Sequence, residues 1–311
     1  MNDKSRLLAI TLSIAAVERD TGLSKDTLRV WERRYGFPAP GRDRSGERAY
    51  TLAAVEKLRL IKRLLDAGQR PGRIVPLALD ALQSLTEQTV DQPLCTIETV
   101  LGMDGLRACI ALIREHDAAR LRRELTRLLS RAGVARFVNQ VVAPLSAAVG
   151  DAWLRGQLQV FEEHLYTEAV QTVLRAAIAS VPEPASESSP RVLLSTFPGE
   201  PHGLGPLMAE AVLALEGCRC VSLGTQTPLW DLVLAAQALR SDIVALSFSG
   251  CMNPNQVAAG LAELRAKLPP TVALWAGGSA PVLHRRPVPG VQAFNTLTDV
   301  PAALQQLRAK G

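Results

Sequence analysis

The chain has 311 residues, of which 47% are hydrophobic and 21% are charged. This length is sufficient for two or three domains that each have a core, and the composition excludes a disordered or collagen-like chain. Residues 1–80 carry 16 basic and 10 acidic side chains, a net charge of +6, whereas the remaining 231 residues carry 19 and 20, a net charge of −1. Positive charge at one end is typical of a protein whose N-terminal part alone contacts a polyanion.

Cysteine usage and hydropathy predict a cytoplasmic protein. The cysteines are odd in number and form no CxxC pair, which favours a reducing compartment over a disulfide framework; they are Cys95, Cys109, Cys218, Cys220 and Cys251. The apolar run Leu7–Val17 follows Lys4 and Arg6, but it is too short to span a bilayer and has no plausible cleavage site. We therefore expect neither export nor membrane insertion.

Composition and periodicity divide the chain into five segments. We expect a basic helical domain, a connector, a four-helix bundle, a Pro/Ser-rich linker and an α/β domain, at 10–80, 81–103, 104–180, 181–190 and 191–311. Apolar residues at three- and four-residue spacing predict the bundle helices, namely Gly105–His116, Asp117–Ala132, Val134–Leu154 and Val160–Ser180.

The last segment alternates buried-type strands with helices, which predicts a doubly wound, Rossmann-like parallel sheet with helices on both faces. The strands are predicted at Arg191–Thr196, Arg219–Ser222, Ile243–Ser247 and Val272–Trp275. The helices between them are predicted at Leu204–Glu216, Leu229–Arg240 and Asn255–Leu268. The predicted fold class is multidomain, with an all-α winged head, a four-helix bundle and an α/β domain.

The basic segment has the pattern of a winged helix-turn-helix. A short amphipathic helix, Leu12–Arg19, precedes a glycine turn and a second helix that Ser24 would cap. Such a second helix would lie in the major groove of DNA, and its basic side chains are Lys25, Arg29, Arg33 and Arg34. The segment Arg42–Tyr50 has Ser-Gly at its centre and predicts a hairpin wing, and Leu52–Ala67 predicts a further basic helix.

The segments TLRVWERRYGFP and GERAY resemble the DNA-binding domain of MerR-family transcriptional regulators over residues 10–75. In that family the recognition helix, the wing and the following helix contact operator DNA. The resemblance implies DNA contacts at Lys25, Thr27, Arg29, Trp31, Arg33, Arg48 and Tyr50. Trp31 stands where the family usually has Tyr, so an indole N–H would have to replace a hydroxyl–phosphate bond.

Two features of the basic segment bear on its partners. The alternative to DNA binding is a basic helical domain that docks on an acidic protein. The helical pattern stops near Leu85 without sustained heptads, so oligomerisation is expected to come from the C-terminal segments.

The loop PGEPHGLGPLM follows the first predicted strand and opens a helix, which is where doubly wound folds bind ligands. It contains neither GxGxxG nor GxxxxGK(S/T), the patterns that a phosphate loop needs. It does contain His202, with Glu200 two residues before it. A neutral imidazole can ligate a metal, and a carboxylate on its other nitrogen can fix the tautomer; the alternative is a polar surface histidine.

The ends of the third and fourth predicted strands carry a serine and two glycines. Together with the loop, they resemble the cobalamin-binding signature DxHxxG, SxL and GG at its usual spacing. The matching residues are Glu200, His202, Gly205, Ser247, Gly277 and Gly278. The resemblance implies that His202 is the lower cobalt ligand, that Ser247 contacts the nucleotide tail and that the glycines make room for the tail. Glu200 keeps the carboxylate of the Asp that it replaces, whereas Ser249 replaces the Leu of the signature.

The bundle carries the pattern W-x9-EH, formed by Trp153, Glu163 and His164. Taken alone, these are a core aromatic residue and a solvated pair. In the order head, bundle and cobalamin signature, the chain resembles the CarH/LitR-type light-dependent repressors over nearly its whole length. The resemblance implies adenosylcobalamin as cofactor, with Trp153 over the adenosyl group and Glu163 and His164 in contact with it. Leu154 stands where some members have a second histidine for cobalt, so the illuminated state would hold water or His164 or lose the cofactor.

The resemblance further implies a repressor without enzymatic turnover. In the dark, the adenosyl group would hold bundle and sheet domain in one geometry that forms a homo-oligomer, a tetramer, on operator DNA. Light would break the cobalt–carbon bond and dissociate the oligomer. One alternative is a MerR-type regulator whose cobalamin-like domain acts without cobalamin. The other is a corrinoid carrier subunit of a methyltransferase or mutase, against which the DNA-binding head argues.

Overall fold

The computed structural model describes residues 11–43, 45–66, 69–89, 102–184, 186 and 188–309. Residues 90–101 of the expected connector and positions 185 and 187 of the expected linker lie outside these residues, as do Lys4, Arg6 and Cys95. Backbone contacts divide the chain into two compact units. The first comprises Met1–Pro93 with Asp151–Leu158, and the second comprises Leu94–Gly150 with Gln159–Gly311.

The N-terminal head combines short helices with a small antiparallel sheet. The strands are β1 (Thr11–Ser13), β2 (Gly41–Arg42) and β3 (Arg48–Thr51), in the order β1-β3-β2. The helices are α1 (Ile14–Thr21), α2 (Lys25–Tyr35), α3 (Leu52–Asp66), α4 (Pro71–Ile74) and α5 (Leu79–Thr89). The wing predicted in this region is confirmed as the β2–β3 hairpin. The winged helix-turn-helix expected for the head is confirmed, and β1 adds a third strand that pairs with β3 and places Leu12 opposite Tyr50.

Capping side chains set the helix boundaries of the head. The first helix was expected from Leu12, but α1 begins after Ser13, whose hydroxyl accepts a hydrogen bond from the backbone N–H of Ala16 at 3.2 Å. Ser24 caps α2 as predicted and accepts from the backbone N–H of Thr27 at 3.2 Å. Gly22 has a φ of 68°, in the left-handed region, which lets the chain turn sharply between the two helices.

The predicted bundle helices are present, with one interruption. They are α6 (Gly102–Arg114), α7 (Ala118–Ala132), α8 (Val134–Phe137), α9 (Ala143–Leu154) and α10 (Val160–Ala179). The helix expected over Val134–Leu154 is split by a π-helical turn at Val138–Val142. The side chains that α7 and α10 bury include Leu121, Leu125, Tyr166, Val170 and Leu174. The 3.6-residue period identified these helices because it records which face is apolar, but it does not register a single wider turn.

The C-terminal part is a doubly wound parallel sheet, as predicted. Its strands are β4 (Arg191–Ser195), β5 (Arg219–Ser222), β6 (Ile243–Ser247), β7 (Ala273–Gly277) and β8 (Val291–Ala293), in the order β5-β4-β6-β7-β8. The chain runs from β4 outward to β5 and then back past β4 to β6. The topological switch point, where such folds bind ligands, therefore lies between β4 and β6. The three-residue strand β8 was not predicted, because it is too short to show a period.

Helices cover the sheet in two groups. They are α11 (Leu204–Leu215), α12 (Leu229–Ala238), α13 (Pro254–Lys267), α14 (Val282–Arg285) and α15 (Val300–Arg308). Helix α11 packs on α15 and on the bundle helix α10, whereas α12 packs on α13. None of the described helices combines the length and the apolar character that crossing a membrane requires.

Gly278 is a position of the sheet domain where the backbone leaves no room for a side chain. Its φ is +109°, and a Cβ would overlap the carbonyl oxygen of Phe248. We expect Gly278→Ala to lower the free energy of unfolding by about 1–3 kcal/mol, because it adds backbone strain and a clash. In the control Gly277→Ala, the Cβ would meet only the Cβ of Phe294 at 3.9 Å. Urea unfolding followed by circular dichroism measures both variants, and equal midpoints would contradict the prediction.

Candidate functional site

A polar network lies at the carboxyl ends of β4 and β6, beside the topological switch point. The loop between β4 and α11 carries Glu200 and His202, and Ser249 follows β6. The Nδ1 atom of His202 lies 2.5 Å from Oε1 of Glu200, and the backbone N–H of His202 donates to the same oxygen at 3.1 Å. The backbone N–H of Ser249 donates to Oε2 at 2.6 Å. One carboxylate therefore holds the histidine and joins two loops.

The environment of Glu200 keeps its carboxylate ionised. The residue is 1% exposed. Burial by itself raises the pKa of Glu200, but the hydrogen bonds from His202 and Ser249 outweigh burial and bring the pKa below the usual range of glutamate. With Nδ1–H donating to this carboxylate, a neutral imidazole carries its lone pair on Nε2. Nε2 of His202 is thus the ring nitrogen that can bind a metal, and the side chain is 54% exposed.

The small residues of the predicted signature meet at the same end of the sheet. A Cβ on Gly205, in the first turn of α11, would overlap Oγ of Ser247 and lie 3.1 Å from its Cβ. Ser247 is paired in register with Gly277, and the backbone N–H of Phe248 donates to the Gly277 carbonyl at 2.9 Å. The close approach of α11 to the end of β6 depends on glycine at position 205.

The bundle residues of the W-x9-EH pattern lie on the helices that flank one loop. Trp153 lies in the last turn of α9 and is half-buried, so it is not a fully buried core residue. Glu163 lies in the first turn of α10, where its Oε1 accepts a hydrogen bond from the hydroxyl of Thr167 at 2.7 Å. Nε2 of His164 lies 3.7 Å from Oε2 of Glu163, and the His164 side chain is 69% exposed. The start of α10 therefore presents an adjacent carboxylate and imidazole.

The recognition helix α2 presents basic and polar side chains on its surface. Among the predicted DNA contacts, those that are exposed or half-buried on this helix are Lys25, Thr27, Arg29 and Arg33. Lys25 pairs with Glu18 at 3.5 Å and Arg29 with Asp26 at 3.3 Å. Surface pairs of this kind contribute little to stability, so phosphate oxygens can replace them as partners.

Trp31 and Tyr50 do not lie on the surface that would meet DNA, contrary to the expectation. Trp31 is 5% exposed and Tyr50 is 0% exposed, and both belong to the core of the head. Burial raises the pKa of Tyr50, and its hydroxyl has no hydrogen-bond partner among the described residues. We correct the predicted set of DNA contacts by removing these two aromatic residues.

Arg48 has a structural partner that the sequence analysis missed. Its Nε donates to Oε2 of Glu32 at 2.9 Å, and both side chains are 28% exposed. The pair ties the wing strand β3 to the recognition helix α2. Sequence spacing does not signal it, because the two residues are 16 positions apart on different elements. The sequence analysis also missed the hydrogen bond from Ser249 to Glu200, because its donor is a backbone N–H that no residue type encodes.

Comparison with known proteins agrees with this architecture. Residues 12–78 match the family model for the MerR HTH family regulatory proteins, and residues 106–178 match the model for the B12 binding domain. Together with the carboxylate-supported histidine at the switch point, these matches define a cobalamin-binding transcription regulator.

Two curated relatives then give the family. The chain is 30% identical to the HTH-type transcriptional repressor CarH of Myxococcus xanthus, over 85% of this chain and 87% of that protein. It is 31% identical to the HTH-type transcriptional repressor CarA of the same organism, over 84% of each chain. The protein belongs to the CarH-type family of MerR repressors.

Among solved structures, the monomethylamine corrinoid protein of Methanosarcina barkeri resembles the C-terminal part. It is 15% identical, with a TM-score of 0.50, and the match covers 65% of this chain and 96% of that chain. At this identity the likeness supports the shared fold of bundle and sheet domain alone.

Replacing the Glu200 carboxylate should destabilise the sheet domain in a pH-dependent way. We expect Glu200→Gln to cost about 1–3 kcal/mol at pH 7, because a buried charged acceptor with several donors is lost. The folded-state pKa lies below the ordinary value of about 4.3. The stabilisation is therefore complete above that value and is lost as the pH falls through the lower folded-state pKa.

Urea unfolding of both proteins between pH 7 and pH values below about 4 tests this expectation. The difference in the free energy of unfolding between wild type and Glu200→Gln should become smaller at low pH. Glu263→Gln is the control, because that side chain is 59% exposed. A difference that stays constant with pH would show that the carboxylate charge is not what stabilises the loops.

Removing one exposed arginine from α2 should reduce the salt dependence of DNA binding. We expect Arg33→Ala to decrease the slope of log K against log [salt] by about one on duplex DNA, because one phosphate contact is lost. Arg122→Ala removes the same charge from an exposed site on α7 and should leave the slope unchanged. Fluorescence anisotropy between 50 and 200 mM salt measures both slopes, and equal decreases would exclude a specific role for α2.

Proposed function

We propose that this protein is a light-sensing transcriptional repressor that binds adenosylcobalamin in the dark and is released from operator DNA when the cobalt–carbon bond is photolysed. The observation that carries the proposal is the Glu200–His202–Ser249 network at the switch point of the sheet. Membership of the CarH-type family and the match to the B12 binding domain support it.

The residues at the carboxyl end of the sheet fit the lower face of a corrinoid. His202 would supply Nε2 to cobalt, and Glu200 would hold the tautomer that leaves the lone pair on that nitrogen. Gly205, Ser247, Gly277 and Gly278 would line the nucleotide tail. The support for this fit is that a Cβ on Gly205 would overlap the Ser247 hydroxyl, so the position beside Ser247 requires glycine, as the signature does.

The bundle residues would act on the upper face. Adenosylcobalamin, when bound, supplies a cobalt–carbon bond that visible light breaks and an adenosyl group of defined shape. Trp153 would pack against that group, and Glu163 and His164 would contact it through hydrogen bonds. Leu154 follows Trp153, so no imidazole is offered at that position, and the illuminated protein would depend on water, on His164 or on release of the cofactor.

The head and the oligomer complete the mechanism. Lys25, Thr27, Arg29 and Arg33 on α2, with Arg48 at the wing, would contact operator DNA. A dark tetramer would bring several heads to adjacent operator sites, and multivalency raises the affinity without new base contacts. Loss of the adenosyl group would favour the dissociated state, so repression would end in the light. No chemical turnover by the protein is required.

Size-exclusion chromatography with absorbance detection tests the proposal most directly. We expect wild-type protein mixed with adenosylcobalamin to elute in the dark as a large species that carries visible absorbance, and to elute as a smaller species after green light. In His202→Ala, the visible absorbance that elutes with the protein should fall tenfold or more. His284→Ala is the matched control, because His284 is an exposed histidine of the same domain on α14.

Other outcomes point to other functions. If the cofactor elutes separately and the elution volume of the protein does not change on illumination, the protein would be a MerR-type regulator whose sheet domain acts without cobalamin. Methyl transfer from a bound corrinoid to a thiol by the purified protein would indicate a corrinoid carrier.

A further inference from the structure

A second histidine–carboxylate pair lies in the bundle, at the corner between α6 and α7. His116 occupies this corner with a φ of 58°, in the left-handed region that non-glycine residues seldom adopt. Its Nε2 lies 3.1 Å from Oε1 of Glu162, and its ring lies 5.1 Å from the Phe161 ring, centroid to centroid. The corner of one helix pair is thereby connected to the first turn of α10.

Glu162 uses both oxygens of its carboxylate. While Oε1 accepts from His116, Oε2 accepts from the backbone N–H of Gln159 at 2.6 Å and closes the N-terminus of α10. Glu162 is 8% exposed. A buried carboxylate needs such donors, because its desolvation is otherwise uncompensated. The neutral ring with its proton on Nε2 and the imidazolium can both donate, so either form maintains the contact.

Glu162 directly precedes the two residues of α10 that are proposed to contact the cofactor. The two residues after Glu162 are Glu163 and His164, the carboxylate and imidazole near the N-terminus of α10. Successive residues of a helix are rigidly related, so fixing Glu162 fixes where the next two side chains begin. A change at His116, which is 46 residues earlier in sequence, would move the start of α10 without touching either side chain directly.

We propose that His116 and Glu162 are positioning residues that hold the start of α10 so that Glu163 and His164 meet the adenosyl group of the cofactor. This inference rests on the proposed function. On this proposal the pair would favour adenosylcobalamin over cobalamins with a small upper ligand, because the adenosyl group is the part of the cofactor that Glu163 and His164 are proposed to contact. The proposed contacts of Glu200 and His202 with the lower face do not involve the pair.

Two single variants and their combination test the pair. His116→Asn removes the imidazole and keeps a residue that tolerates the left-handed conformation, and Glu162→Gln removes the charge. We expect each to raise the dark Kd for adenosylcobalamin about five- to tenfold, because only part of the free energy of a buried hydrogen bond to a charged group would appear in cofactor binding. The Kd for hydroxocobalamin should not change. The double variant should lose little more affinity for adenosylcobalamin than either single variant, because both substitutions remove the same contact.

Val173→Ala is the control for a merely structural effect. Val173 is a buried side chain further along α10, so this variant lowers the stability of the bundle without altering the pair. It should leave the ratio of the two Kd values unchanged. Hydrogen exchange on the cofactor-free proteins adds a second readout, and the amides of residues 160–164 should exchange faster in His116→Asn than in Val173→Ala.

The outcomes separate the inference from the proposed function. If the ratio of Kd values is unchanged in both single variants, or changes equally in Val173→Ala, the inference is wrong even when wild type binds adenosylcobalamin and responds to light. Faster exchange with an unchanged ratio would also overturn it, because the pair would then hold the helix without selecting the cofactor. If wild type binds neither cobalamin, the proposed function fails and the inference fails with it.

Discussion

The hydrogen bonds of one buried carboxylate, that of Glu200, hold the candidate site together. The residue is 1% exposed and connects the loop after β4 to Ser249, which is 49 positions later in the chain. A charge at this depth is stable only when donors replace water, and His202 and Ser249 provide them. The same bonds that stabilise the charge fix the tautomer of the histidine. The stability of the loops and the ability to bind a metal are therefore linked at one group.

A similar arrangement occurs in the bundle, where Glu162 is 8% exposed and supports His116. In both places a buried carboxylate accepts from a backbone N–H and from a half-exposed imidazole. The two pairs differ in how their partners are related along the chain. Glu200 and His202 share one loop, whereas His116 and Glu162 come from different helices. The first arrangement is a local motif, and the second depends on how the bundle packs.

The head depends on a different balance, between buried aromatic residues and surface charge. Trp31 and Tyr50 stabilise the core of the head, and the Glu32–Arg48 pair fixes the wing to the recognition helix. The proposed contacts with DNA would then depend on a few exposed side chains, such as Arg29 and Arg33. A single head therefore offers a small footprint, which explains why the proposed function relies on several heads that bind together.

The sequence by itself determined the features that are encoded locally. The period of apolar residues identified the bundle helices and four of the five strands of the parallel sheet, and the short spacing between Glu200 and His202 predicted their pairing. Only the tertiary structure decided that Trp31 and Tyr50 are buried, that β1 and β8 complete the sheets, and that Glu32 and His116 have charged partners. The physical reason is that burial and pairing over long separations depend on which surfaces meet after folding, and a one-dimensional pattern records only which residues are neighbours along the chain.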